Sequence, residues 1–257
     1  MLPSSYFDRG VTTVNGVKLN EFCDYTNEMS GTSSAAPNTT GAIALLLDAN
    51  SALTWRDVKH ILAKSARKVD GNRPAVTRTL KNNVTFIAEE PWITNAANFN
   101  FHNWYGFGAV DVEAALVEAR TYVPGSLGVW KETGWFSRSV VQDVPILDFD
   151  AEGAKAQIAV SNFVPTVEAI VVWVKITHTN ISDVGIELTS PRGTRSILLN
   201  IGNGLPSSGT GPQLQNFIAT NAFYGEPAEG VWTLKVVDGY EGVQGTLNDW
   251  QINVYGH

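Results

Sequence analysis

Residues 232–237 (WTLKVV) and 250–255 (WQINVY) alternate apolar and polar side chains with a period of two. That period belongs to a β-strand, whose successive side chains point to opposite faces. Trp232, Leu234 and Val236 therefore share one face, and Trp250, Ile252 and Val254 share one face. Working back toward the N-terminus, residues 170–176, 186–189 and 195–199 give further short β-prone runs. Gly, Pro, Asn and Ser fill the gaps, as in LNIGNGLPSSGTGPQ (199–213), where 202–211 reads as a long loop. Closely spaced strands without helices predict an all-β antiparallel sandwich from about residue 127 onward.

The first half has a different texture and reads as α/β. Asn15-Gly16 lies between two β-prone runs in VTTVNGVKLNE (11–21), a hairpin signal because a type I′ turn needs positive φ at both central residues. A helix is predicted over 33–49. A second spans 54–69, with Thr54 and Asp57 as a capping box, Val58, Ile61 and Leu62 as an apolar stripe, and Asp70-Gly71-Asn72 as its stop. Residues 73–108 are aromatic and irregular. Asp111 caps a third helix over 112–123, stopped by Pro124-Gly125. The boundary falls at 124–128, giving domains 1–125 and 126–257. There is no internal repeat.

The 257 residues suffice for two domains, each with its own core. A net charge of −7 argues against a nucleic-acid or anionic-membrane partner, which calls for a basic face. The longest apolar run, 41–47, is far short of a membrane span of ~20 residues. The opening MLPSSYFDRG lacks the plan of a signal peptide. The single cysteine, Cys23, is either a buried small hydrophobe or half of a bridge to a partner elsewhere.

Residues 27–50 (NEMSGTSSAAPNTTGAIALLLDAN) put a hydroxyl at the mouth of an apolar helix. Gly31 and Thr32 form a tight turn before Ser33, and glycine there lets backbone approach a ligand closely. A serine at a helix start sits among free N–H groups at the positive end of the dipole. Those groups can hold an oxyanion while the Ser33 Oγ attacks a carbonyl. Pro37 is expected in the first turn, where its missing N–H is harmless, and Gly41 to allow a close helix crossing. The competing reading is that Ser33 is a capping serine, the common role in front of a helix.

The stretch 31–37 (GTSSAAP) resembles the nucleophile motif of subtilisin-like serine proteases. Residues 45–62 (LLLDANSALTWRDVKHIL) and 102–116 (HNWYGFGAVDVEAAL) resemble the kexin and furin branch, after the nucleophile and at the end of the catalytic domain. Residues 178–199 and 223–256 resemble the P domain, or Homo B domain, that follows it. The resemblance implies the C-terminal part of an α/β subtilisin-like catalytic domain followed by an all-β, jelly-roll-like P domain. It implies a serine endopeptidase acting through an acyl-enzyme on Ser33, whose backbone N–H joins the oxyanion hole, with Gly31 and Thr32 shaping the turn. It also implies peptide substrates, secretion to the extracellular space or periplasm, and calcium for the full enzyme.

Subtilisin-like enzymes carry their triad in the order Asp, His, Ser. No histidine precedes Ser33, and neither the family's Asp-Gly and His-Gly-Thr motifs nor its oxyanion asparagine, pocket acids or calcium ligands can be identified. The expectation is a fragment, inactive alone, awaiting the N-terminal part of the catalytic domain; one chain of a nicked enzyme is the other possibility. The resemblance also implies an upstream partner for Cys23, which sits two residues further from its serine than in the furin pattern. A non-catalytic adhesion or interaction module carrying a protease remnant is the alternative of a different class. His60 reads as structural, His102 as a loop-backbone partner, His178 as a strand-end residue and His257 as terminal. The sequons at Asn38, Asn83 and Asn180 read as unmodified, Glu89-Glu90 as solvated acids in preference to calcium ligands, and the aromatics of 92–107 as packing between a loop and the domain core in preference to a groove lining.

Overall fold

The structure, a computed structural model, describes residues 13–14, 17–18, 31–161, 164–203 and 213–257. Cys23, Asn15-Gly16 and most of the 202–211 loop lie outside the described residues. Contacts divide the chain into two units, 1–52 and 53–257. The segment 124–128 lies within the second unit.

In the first unit, β1 (Thr13–Val14) and β2 (Val17–Lys18) pair antiparallel, with Val14 opposite Val17. Helix α1 spans Thr32–Ala49. Counted from Thr32, Pro37 is the sixth helical residue and lies beyond the first turn, contrary to expectation. Its missing amide would have bonded the Ser33 carbonyl, four residues back. The next three side chains bond backward in the same way: Asn38 Nδ2 to the Ser34 carbonyl (2.9 Å), Thr39 Oγ1 to Ala35 (3.1 Å) and Thr40 Oγ1 to Ala36 (3.0 Å). Ala42 and Leu46 are buried, whereas Leu45 and Leu47 are exposed. A Cβ built on Gly41 meets nothing within 4 Å among the described residues, so the expected close crossing is absent from them.

The second unit begins with α2 (Trp55–Ser65). Its capping box forms as read. The Asp57 amide donates to Thr54 Oγ1 (3.3 Å), and Asp57 Oδ2 accepts from the Thr54 amide (2.8 Å). The same carboxylate accepts from the Gly125 amide (3.1 Å), tying the start of α2 to the turn after α3 (Val112–Thr121). Burial pushes the Asp57 carboxyl up, but the hydrogen bonds from Thr54 and Gly125 outweigh it and hold it below its ordinary value. Asp57→Ala should cost about 2 kcal/mol, since it removes a cap and orphans a backbone donor. Urea unfolding measures this, and an unchanged midpoint would mean that water replaces the carboxylate.

Helix α2 stops at Ser65, four residues before the predicted Val69. The reason is tertiary: Arg67 pairs with Ala109, exchanging two backbone hydrogen bonds of 2.9 Å. Gly108 makes this approach possible. Its φ is +134°, and an added Cβ would lie 2.5 Å from the Arg67 carbonyl oxygen. The segment read as irregular contains two antiparallel pairs, β3 (Val76–Thr79) with β4 (Thr85–Glu89), and β5 (Ile93–Thr94) with β6 (Asn100–Phe101). Asn82 and Asn83 turn the first pair at φ of 60° and 58°, a region that asparagine tolerates.

The sandwich follows. Strands β7 (Lys131–Ser137), β8 (Val144–Ile146), β9 (Ala154–Val160), β10 (Val167–Thr177), β11 (Val184–Thr189), β12 (Arg195–Leu199), β13 (Gln213–Thr220), β14 (Gly230–Asp238) and β15 (Gly245–Gly256) form two antiparallel sheets. One has the order β13-β10-β15-β7, with β8 also on β15; the other is β12-β11-β14-β9. Trp232, Leu234 and Val236 of β14 and Trp250, Ile252 and Val254 of β15 are all 0% exposed in one core. The period-two reading is thereby met residue by residue. The Trp232 indole is satisfied by the Ala228 carbonyl at 2.8 Å and packs edge-on against Phe223.

Candidate functional site

Gly31 caps α1 with φ 86° and ψ −177°. That left-handed φ suits glycine alone among common residues. The Ser34 amide returns to the Gly31 carbonyl at 3.1 Å and closes the turn. Ser33 is the second helical residue and not the cap, and it is exposed together with Gly31 and Thr32. The first turn of α1 carries no acidic side chain. The positive end of the helix is thus not neutralised by its own carboxylates. An exposed hydroxyl among first-turn amides can deliver an oxygen to a carbonyl and face the negative charge that follows.

The chain has four histidines, and each has its own engagement within the second unit. His60 Nδ1 lies 3.1 Å from the Tyr224 hydroxyl, and its ring packs against Phe99, Tyr122 and Tyr224. Burial lowers its pKa, helped by Lys64. A folded value below the unfolded one means that the unfolded state binds more protons, so stability falls as pH drops below about 6.5. His60→Gln should flatten the stability profile between that pH and the lowered folded value. Parallel profiles for the two proteins would refute this assignment.

His102 is a loop-backbone partner, as read: its Nδ1 accepts from the Trp104 amide at 3.0 Å. His178 Nε2 lies 3.2 Å from Asp238 Oδ2, both side chains fully buried. His257 Nδ1 lies 2.8 Å from Glu168 Oε1.

This last contact belongs to a cluster that the sequence reading missed. Glu168, on β10, is 1% exposed and pairs with Arg56 of α2, itself 11% exposed. Arg56 Nη1 also donates to the Gly128 carbonyl (2.6 Å), and its guanidinium lies 5.4 Å from the Trp130 ring centre. Lys59 Nζ donates to the Glu168 carbonyl (2.8 Å) and to Asn221 Oδ1 (2.9 Å). Arg56 and Glu168 are 112 residues apart, so no local pattern announces them. A second clasp joins 95–99 to the sandwich: Asn95 Nδ2 donates to the Ala222 and Tyr224 carbonyls, each at 2.9 Å.

Among the described residues no group of three or more His, Cys, Asp or Glu can hold a metal ion. The described residues therefore offer no such donor set for calcium. No described helix is long and apolar enough to cross a membrane.

Residues 9–108 match the subtilase family, and residues 167–254 match the proprotein convertase P-domain. The chain is 33% identical to the extracellular serine protease of Aeromonas sobria, over 93% of this chain and 44% of that protein. It is 34% identical to human proprotein convertase subtilisin/kexin type 6, over 98% of this chain and 24% of that protein. The crystal structure of the Aeromonas sobria serine protease superposes with a TM-score of 0.83 at 32% identity, covering 93% of this chain and 46% of that one. A second structure, of that protease in complex with its chaperone, gives 0.81. The chain spans less than half the length of these relatives.

Proposed function

The chain belongs with the subtilisin-like serine proteases, as the C-terminal part of a catalytic domain with its P domain, and from that premise we propose that it carries the nucleophile, Ser33, of a serine endopeptidase. The observation that carries this reading is the Gly31–Ser33 turn. It lies inside the subtilase match, and Ser33 stands exposed in the first helical turn while Gly31 does the capping.

In this reading Ser33 Oγ attacks the scissile carbonyl and gives its proton to a base. The peptide C–N bond breaks as the leaving amine takes that proton, and water then hydrolyses the acyl-enzyme. The Ser33 backbone N–H joins the oxyanion hole, and Gly31 and Thr32 set the turn. The base comes from outside these 257 residues, because His60, His102, His178 and His257 each serve a local contact. The triad aspartate likewise comes from the missing N-terminal part of the catalytic domain, and this chain alone is inactive. Substrates are proteins or peptides, and the enzyme works outside the cytoplasm. Calcium serves the complete enzyme.

Labelling with a fluorophosphonate tests the proposal. The chain alone should not label. Adding the Asp- and His-bearing segment of a catalytic domain should restore labelling on the Ser33 peptide, and Ser33→Ala should abolish it. Labelling that persists in the alanine variant would assign the nucleophile elsewhere.

A further inference from the structure

A groove of about 560 Å3 runs along one margin of the sandwich, where β12 and β13, the edge strands of the two sheets, come together. We propose that this groove binds a neutral saccharide, with Trp104 as its stacking platform and a set of asparagines as its hydrogen-bonding wall.

The lining chemistry is selective. Asn103, Asn200, Asn203 and Asn221 supply the polar groups, Trp104 and Phe101 the aromatic ones, and no described lining residue is ionisable. A phosphate or carboxylate ligand would call for a free cation, and the two cations beside the lining are engaged, Arg73 with Asp70, Glu89 and the Trp104 ring and Lys59 with Asn221 and the Glu168 carbonyl; a cationic ligand would call for a carboxylate. Asparagine both donates and accepts, and so matches hydroxyl groups, which do the same. Two of the amides are half used, and the atoms they leave unused have opposite roles. Asn103 Nδ2 donates to the Ile197 carbonyl (3.0 Å), leaving its oxygen as an acceptor. Asn221 Oδ1 accepts from Lys59 (2.9 Å), leaving its NH2 as a donor. Asn200 and Asn203 keep their side-chain amides free of partners among the described residues.

Trp104 is 64% exposed and lines the groove, so its ring is open to a ligand there. It is also held in place. Its amide donates to His102 Nδ1 (3.0 Å), the loop closes with the His102 amide on the Gly106 carbonyl (2.9 Å), and the Arg73 guanidinium lies 5.3 Å from the ring centre. A platform already ordered loses little entropy when a ligand stacks on it. An aromatic face suits the C–H face of a sugar ring, while the amides take its hydroxyls. An added peptide strand is the less favoured occupant. Asn103 already takes the Ile197 carbonyl on β12, a main-chain acceptor that an added strand would need.

Calorimetry on the full 257-residue chain tests this with three neutral trisaccharides, of glucose in α and β linkage and of N-acetylglucosamine, and with an uncharged hexapeptide. At least one sugar should bind with a dissociation constant below about 10 mM, and Trp104→Ala and Asn200→Ala should each weaken it about tenfold. Trp135→Ala, which removes an exposed tryptophan of the sandwich outside the groove, should leave it unchanged. Three results would overturn the proposal: no sugar binds, only the peptide binds, or Trp135→Ala weakens binding while Trp104→Ala does not. None of these depends on whether Ser33 is a nucleophile.

Discussion

In the complete enzyme, Ser33→Ala is expected to lower kcat roughly a million-fold while leaving KM within a few-fold. The expectation follows from the role proposed for the hydroxyl. Without Oγ no acyl-enzyme forms, and the oxyanion hole and substrate binding sustain only the residual rate that positioning gives. The substitution should be silent in stability, because Ser33 is exposed and Gly31 performs the capping. Thr32→Ala is the contrasting case: it leaves the nucleophile in place and should cost far less. Full turnover by the Ser33→Ala enzyme would remove the serine from the mechanism.

The largest stability effect is expected at Glu168. Glu168→Ala should cost about 3–5 kcal/mol, the range for breaking a buried ion pair from one side. The carboxylate is 1% exposed and accepts from Arg56 Nε at 3.2 Å to each oxygen, with Nη2 also on Oε1 and His257 Nδ1 2.8 Å from Oε1. Its removal leaves a guanidinium that is 11% exposed without its anion. Burial pushes the Glu168 carboxyl up, but the hydrogen bonds from Arg56 and His257 outweigh it and hold the group below its ordinary value. A depressed folded value means that this stabilisation is present above about 4.5 and is lost as pH falls through the folded value. Glu168→Gln should therefore flatten the acid limb of the stability profile. A double-mutant cycle with Arg56→Ala should return a coupling of more than about 1 kcal/mol. A coupling near zero would mean that water screens the pair.

The physical consequence of this pair concerns the organisation of the second unit. Arg56 and Lys59 lie on α2, inside the subtilase match, and Glu168 lies on β10, inside the P-domain match. The end of the catalytic sequence and the sandwich thus share buried charge, and the contacts of residues 53–257 form one unit. Loss of Glu168 should accordingly be felt in both halves, as a single unfolding transition at lower denaturant and not as two separated ones.

The sequence by itself determined the sandwich, the helix starts and the position of the serine turn. Each of these rests on a short-range rule. Trp232 and Trp250 sit in period-two runs, Thr54 and Asp57 are three residues apart, Asp111 accepts from the Ala114 amide (3.0 Å), and Gly31 immediately precedes the first turn. Tertiary structure alone decided the rest. Helix α2 ends at Ser65 because Arg67 pairs with Ala109, a partner that no window around residues 54–69 contains. The Arg56–Glu168 pair and the asparagine groove draw on residues far apart in the chain, and a hydrogen bond between distant residues imposes no period on either neighbourhood. Periodicity records which face of an element is buried; only the folded chain records what that face meets.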